Sequence, residues 1–207
     1  MNASDSSTSA RIVDVGRRLV MAQGYNGFSY ADVADAVGVR KASVHHHFPS
    51  KADLAVAVIE QSRAAIATQT AALFRNAPNA IKALQGYTDY WERCITDGTA
   101  PFCLAAVMAA ELPSLPPPVA RAVQAHFRDL AVWLTAVLTL GARQGHFVLR
   151  SPPDQEAERF MATVYGAMLS ARVFGDPNRF SAITRALLQD LRAERPRPKP
   201  ERPKPVG

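Results

Sequence analysis

Apolar residues recur along this chain three and four positions apart, and each such run stops at a glycine, a proline or a cluster of small polar residues. That interval lines one face of an α-helix with side chains that must leave water, whereas a half-buried strand needs strict alternation. Runs of alternating β-branched residues bounded by turns are missing, so the chain reads as all-α, with nine helices. The first runs from about Ser9 to Gln23, with Ile12, Val15, Leu19 and Ala22 on one face and Gly24 just past its end. Ser29-Tyr30-Ala31-Asp32 forms a capping box that opens a short second helix, ended by Gly38-Val39. A third short helix follows from Lys41 to His47, and Ser50 caps a long fourth one reaching toward Arg75. Breaks at Asp97 to Pro101, Pro113 to Pro118, Gly145 with Pro152-Pro153, and Gly175 to Pro177 leave helices of about 18, 11, 28, 22 and 18 residues.

The 207 residues suffice for a small domain joined to a larger one, each with its own core. The net charge of +6 invites a nucleic-acid reading, but its distribution weakens that inference. From Arg192 onward six Lys/Arg face two Asp/Glu, whereas from Met1 to Ile66 seven face six. The segment 195–207 alternates proline with basic residues and is expected to be disordered, as is a polar arm over residues 1–8. Leu130 to Leu140, the longest strongly apolar stretch, has about a dozen residues where a bilayer span needs roughly 20, so no membrane is expected as a partner. Two cysteines, Cys94 and Cys103, are too few for a disulfide framework, and no leader pattern is evident, which makes a reducing cytoplasm the expected compartment.

Between Ser29 and Phe48 lie two short helices joined by a glycine turn, with Val33, Ala34, Val37, Val39 and Val44 facing inward. This is the arrangement of a DNA-reading helix-turn-helix, whose second helix enters the major groove by its N-terminal end. Arg40, Lys41, Ser43, His45 and His46 gather there as donors for phosphate oxygens or base edges. Two amphipathic helices with a glycine turn also occur in proteins that never touch DNA, so spacing alone leaves both readings open. The run His45-His46-His47 does not read as a metal site, because neighbours on a helix point about 100° apart.

The stretch from Phe28 to Leu54 resembles the TetR family of bacterial repressors. Ser29, Val33-Ala34, Gly38-Val39, Lys41-Ala42-Ser43, His47-Phe48 and Ser50-Lys51-Ala52-Asp53-Leu54 match its pattern. Two positions depart from it: Arg40 stands where a hydroxyl cap is usual, and His45 where a tyrosine commonly meets phosphate. The resemblance implies a helix-turn-helix DNA-binding domain over residues 9–66, with the motif proper at 29–48, and a ligand-binding and dimerisation domain over 67–194. It further implies a homodimer on double-stranded operator DNA, repression relieved by a small-molecule inducer, and DNA contacts from Ser29, Tyr30, Arg40, Lys41, Ser43, His45, His46 and Lys51.

Beyond residue 78, Tyr87, Tyr90, Trp91, Phe102, Met108, Phe127, Trp133, Phe160, Tyr165 and Met168 spread over helices that must pack together. They serve either as core or as the lining of a mostly apolar pocket for an apolar or aromatic ligand. The segment Phe102 to Leu112 resembles the one that holds the sensing cysteine in the electrophile-responsive NemR branch of that family. That likeness makes Cys103 a second candidate sensor, with a thiol acidified at a helix start and Cys94 as resolving partner. A small buried residue is the plainer reading. The carboxylates Glu92, Glu111, Asp129 and Glu158 belong to no His-x-x-Glu, paired Glu-x-x-His or glycine-rich phosphate motif, so neither an enzyme nor a bound cofactor is expected. A helical adaptor without DNA binding is the remaining alternative.

Overall fold

The computed structural model describes residues 3–192 of the chain. Within them lie nine α-helices: α1 (Ala3–Gln23), α2 (Tyr30–Val37), α3 (Lys41–His47), α4 (Lys51–Asn76), α5 (Ala80–Thr96), α6 (Leu104–Ala109), α7 (Pro117–Arg143), α8 (Pro153–Phe174) and α9 (Asn178–Leu191). Strand structure among these residues is limited to one isolated antiparallel bridge between Phe147 and Arg192. The expected tail, 195–207, lies outside the described residues.

The helix starts and stops follow local chemistry. Ser29 and Ser50 each accept a hydrogen bond from the backbone N–H three residues on, and the Asp32 and Asp53 carboxylates each accept one from the N–H of the cap residue. Both are complete capping boxes. Gly38 closes α2 in the left-handed region at φ 77°, its N–H donating to the Ala34 carbonyl at 2.9 Å. A residue with a Cβ pays for that conformation, which is why glycine ends the helix here.

Three boundaries differ from expectation. Helix α1 begins at Ala3, so residues 3–8 belong to a helix and not to an arm. They contain neither Pro nor Gly, and extending an existing helix adds a hydrogen bond for each residue fixed. Helix α6 has six residues instead of about 11, giving way to a 3₁₀ turn at Leu112–Ser114 ahead of the prolines. Helix α9 stops at Leu191 because Arg192 turns extended and pairs with the 147–148 segment, Val148 N–H donating to the Leu191 carbonyl at 3.0 Å.

Two cores form. Ile12, Val20, Phe28, Val33, Val44, Leu54, Val58 and Ile59 join α1 to α4 around the N-terminal one, and Leu84, Tyr87, Leu134, Leu138, Phe160, Met168, Phe180 and Leu191 join α5 and α7–α9 around the other. The first core also takes in Leu104 and Met108 of α6 and Val119 and Val123 of α7, while Cys103 and Ala105 face the second. Helix α6 therefore sits between the cores with one face in each. Helix α4 runs unbroken through the boundary expected at 66/67 and changes partners along its length, Leu54 to Ile59 in the first core and Ile66 in the second. No helix among the described residues is long and apolar enough to cross a membrane.

Candidate nucleic-acid interface

Helix α2 is pinned before α3 can present anything. Its C-terminal carbonyl at Val37 accepts from the Arg11 guanidinium of α1 at 2.5 Å, and Val33, Ala34 and Val37 are buried against α1. Val44, fully buried, seats α3 on the same core. What remains outward on α3 is Arg40, Lys41 and His46, all exposed, with Ser43 half-buried beside them. Arg40 is the N-cap residue of α3 yet makes no side-chain cap hydrogen bond, so its guanidinium is available to an anion. Two cations and a hydroxyl at the start of a braced helix suit phosphate oxygens and the acceptor edge of guanine.

Other expected contact residues are placed differently. Tyr30 is 6 % exposed; its hydroxyl donates to the Phe48 carbonyl at 2.8 Å, and burial pushes its pKa up to about 12. It is a brace inside the motif, because its ring lies on the inward face of α2. Lys51 is also turned inward: its ammonium donates to the Phe28 carbonyl and sits 4.7 and 4.4 Å over the Tyr25 and Phe28 rings. Burial lowers its pKa. His45 is exposed but tied back, with Nδ1 3.4 Å from the Pro49 carbonyl and its ring edge-on to Tyr30 at 4.6 Å. Ser29 is exposed and spends its hydroxyl on Asp32 Oδ2 at 2.8 Å. The His46 and His47 rings stand 5.4 Å apart and edge-on, and no cluster of three His, Cys or carboxylate groups gathers among the described residues.

The aromatic residues of the C-terminal half do not converge on one pocket. Tyr90, Trp91 and Phe102 line a cleft of about 480 Å³ whose other walls are Asp14, Arg17 and Met21 of α1 and Ser62 and Ile66 of α4. Trp133 lines a smaller cleft of about 180 Å³ between α4 and α7. Tyr87 is buried against Trp133 and Phe160, and Met108 and Met168 are fully buried, Met108 in the N-terminal core. These three line neither cleft and are packed within the cores. Phe127 and Tyr165 pack on each other at 5.3 Å, next to Cys103.

Cys103 caps α6, as the sequence suggests, but is 1 % exposed, and burial pushes its thiol pKa up against the pull of the Ala106 and Ala105 N–H groups and the Tyr165 hydroxyl. The expected acidification fails because desolvation outweighs the few amides of a six-residue helix. Its Sγ lies 3.7 Å from His126 Nε2 and 3.8 Å from Tyr165 Oη. Burial, then the nearby Arg63, lowers the His126 pKa to about 4, so the imidazole is neutral at pH 7. Cys94 is a free thiol that lines the larger cleft.

Two residues that matter here were not legible as such. Glu111, just past α6, accepts from the Tyr25 N–H at 2.6 Å and from the Asn26 N–H and side-chain amide at 3.2 and 3.1 Å, tying the turn after α1 to the C-terminal half. Nothing local marks it, since its partners lie 86 and 85 residues away. His126 carried a signal: with Val119, Ala122, Val123 and Leu130 it falls at helical spacing on the buried face of α7.

Comparison with known proteins agrees with this architecture. Residues 12–58 match the family of bacterial regulatory proteins of the tetR family, and residues 80–187 match the tetracyclin repressor-like C-terminal domain. A TetR-family transcriptional regulator from Agrobacterium tumefaciens is 48% identical, with a TM-score of 0.89 over 91% of this chain and 100% of that one. The HTH-type transcriptional repressor NemR of Escherichia coli K12 is 23% identical over 171 residues, 82% of this chain and 86% of NemR. The reduced form of E. coli NemR superposes with a TM-score of 0.78 at 20% identity, over 89% of this chain and 97% of that one. With both halves matched, and an α1–α3 unit braced to present α3, the chain belongs to the TetR family of transcriptional regulators.

Proposed function

We propose that the protein is a homodimeric repressor that binds double-stranded operator DNA through α3 and is released by a small apolar or aromatic ligand. The observation that carries this reading is the exposed Arg40 and Lys41 at the start of an α3 held rigidly by Val44 and by the capped α2. Lys41, Ser43, Arg40 and His46 are the proposed contacts. Dimerisation is supported by a solvent-facing apolar strip on α8 and α9, where Leu169, Val173, Phe174 and Ile183 are 53, 68, 62 and 36 % exposed. Such a strip on the last two helices fits self-association in a four-helix bundle. The ligand's place is the 480 Å³ cleft, which touches α1, α4 and α5 together and so lies where the two cores meet. A ligand preferring the splayed arrangement of the DNA-reading units by about 1–3 kcal/mol weakens operator binding roughly 5- to 150-fold.

The test is binding of the full chain to the DNA flanking its own gene, by mobility shift across salt, beside Arg40→Ala plus Lys41→Ala. Salt-sensitive, sequence-specific binding lost in the double variant supports the reading. A folded dimer that selects no sequence from genomic DNA favours the adaptor alternative.

A second reading, release by oxidation or alkylation of Cys103, is supported by the likeness of residues 102–112 to the electrophile-responsive branch and by Cys103 being a free thiol, and it requires that this buried sulfur first be opened to solvent. Here Cys103→Ser removes the response to electrophiles and spares a reversible ligand. A response that survives in that variant sinks it.

A further inference from the structure

The cleft of about 180 Å³ between the second half of α4 and the middle of α7 has apolar walls at Ile66, Ala71 and Leu130, and Trp133 lines it as well. The Trp133 indole N–H is buried and has no hydrogen-bond acceptor among the described residues. A buried donor in that position has lost its water without compensation, so an acceptor atom brought to it from outside the chain makes a bond that nothing else competes for. The indole packs on the Tyr87 ring at 5.4 Å, which holds the donor in place. Every other polar group examined along the walls is engaged. Arg63 and Asp129 bind each other at 2.6 Å, and Arg63 also holds Glu60 at 2.7 Å. His126 turns Nε2 to the buried triad, 3.7 Å from Cys103 Sγ and 3.4 Å from Tyr165 Oη, and the Thr70 hydroxyl donates to the Ile66 carbonyl at 2.9 Å.

We propose that this cleft is a second ligand site, separate from the 480 Å³ one, for a small uncharged ring compound with one acceptor oxygen, which takes the Trp133 N–H as its hydrogen-bond donor. Size limits the ligand to a single ring. A cavity of about 150 Å³ takes one benzene, so about 180 Å³ takes a ring with one short substituent. Charge is excluded by the walls. A carboxylate or an ammonium would give up water against Ile66, Ala71 and Leu130 and meet no unpaired opposite charge. At pH 7 His126 supplies none, because burial holds its pKa down at about 4. Few polar groups and mostly apolar walls are the usual make-up of a small-molecule site, with the single donor fixing orientation. Ile66 belongs to both linings, so the two sites share one wall on α4.

The chain has two tryptophans, so isotope-labelled full-length protein gives two indole N–H signals by NMR, and Trp133→Phe identifies the one that reports on this cleft. Acetophenone, an uncharged ring with one carbonyl, is titrated in beside ethylbenzene, which has nearly its shape and no acceptor. The proposal expects acetophenone to move the Trp133 indole proton downfield and saturably, as a new N–H···O bond requires. Ethylbenzene binding to the wild type, and acetophenone binding to Trp133→Phe followed by saturation transfer to the probe, should each be about tenfold weaker. Benzoate should be weaker than acetophenone by at least about tenfold. Ala71→Leu, which fills the cleft from the α4 side, should lose the response, with circular dichroism confirming that each variant is folded. If the indole signal of the wild type stays in place up to the solubility limit of acetophenone, if ethylbenzene moves it equally, or if a folded Ala71→Leu still responds, the site is not as described. Neither Ala71 nor Trp133 lines the 480 Å³ cleft, and the assay contains no DNA, so its failure leaves the repressor reading standing.

Discussion

Tyr30 and Lys51 sit at the rim of the DNA-reading unit yet direct their polar atoms inward, and the consequence can be measured separately on stability and on binding. Tyr30→Phe removes the buried hydrogen bond to the Phe48 carbonyl and should lower unfolding free energy by about 1 kcal/mol in urea titrations. Operator affinity of the folded protein should hardly change. If Tyr30 touched phosphate, affinity would fall instead. Lys51→Ala loses its stacking over Tyr25 and Phe28 and its bond to the Phe28 carbonyl, so thermal stability should fall. The slope of log affinity against log salt should stay unchanged for Lys51→Ala and drop by about one for Arg40→Ala. Equal slopes for the two variants would show that Lys51 faces DNA after all.

Among the elements, α6 has the most leverage for its length. One face lies in the core of the DNA-reading unit, the other in the C-terminal core, and Glu111 at its exit holds the Gly24–Asn26 turn that follows α1. That turn depends on Gly24, which is at φ 74° and whose absent Cβ would stand 2.7 Å from a Glu111 carboxylate oxygen. Gly24→Ala therefore meets both a left-handed backbone and a clash with the clamp. It should cost more than about 1 kcal/mol and lower the melting temperature visibly by calorimetry. Gly38→Ala suffers the backbone penalty alone, with nothing within 4 Å of its Cβ position. A larger loss at Gly38 than at Gly24 would mean that Glu111 yields easily and that the clamp is weak.

For the whole molecule, the exposed strip on α8 and α9 is the feature that a lone chain leaves unexplained. Leu169 and Val173 lie four apart on α8, and Gly166, one turn earlier on that helix, has open space at its Cβ position, which permits a partner helix to come close. Val173→Glu places a charge in that surface. In sedimentation runs it should convert a dimer to a monomer and weaken operator binding sharply, because two half-sites must be held together. A variant that remains dimeric would move the interface elsewhere.

The helices of the DNA-reading unit were legible from local spacing alone. The caps Ser29 and Asp32, the stop at Gly38, and Ser50 with Asp53 act within three or four residues, so their spacing carries the whole interaction. The family followed from the same stretch. The aromatic residues of the C-terminal half showed only that they must leave water, and whether each became core or cleft wall depended on which helix faces met. Tyr87 and Met168 went to the core, whereas Tyr90 and Phe102 went to the cleft. It took the packed fold to turn Lys51 inward, to shield Cys103 beside His126 and Tyr165, and to bring Glu111 to Tyr25 across 86 residues. Each of these depends on burial and on contacts between distant segments, and desolvation, which sets their chemistry, is a property of the packed molecule and of no single stretch of chain.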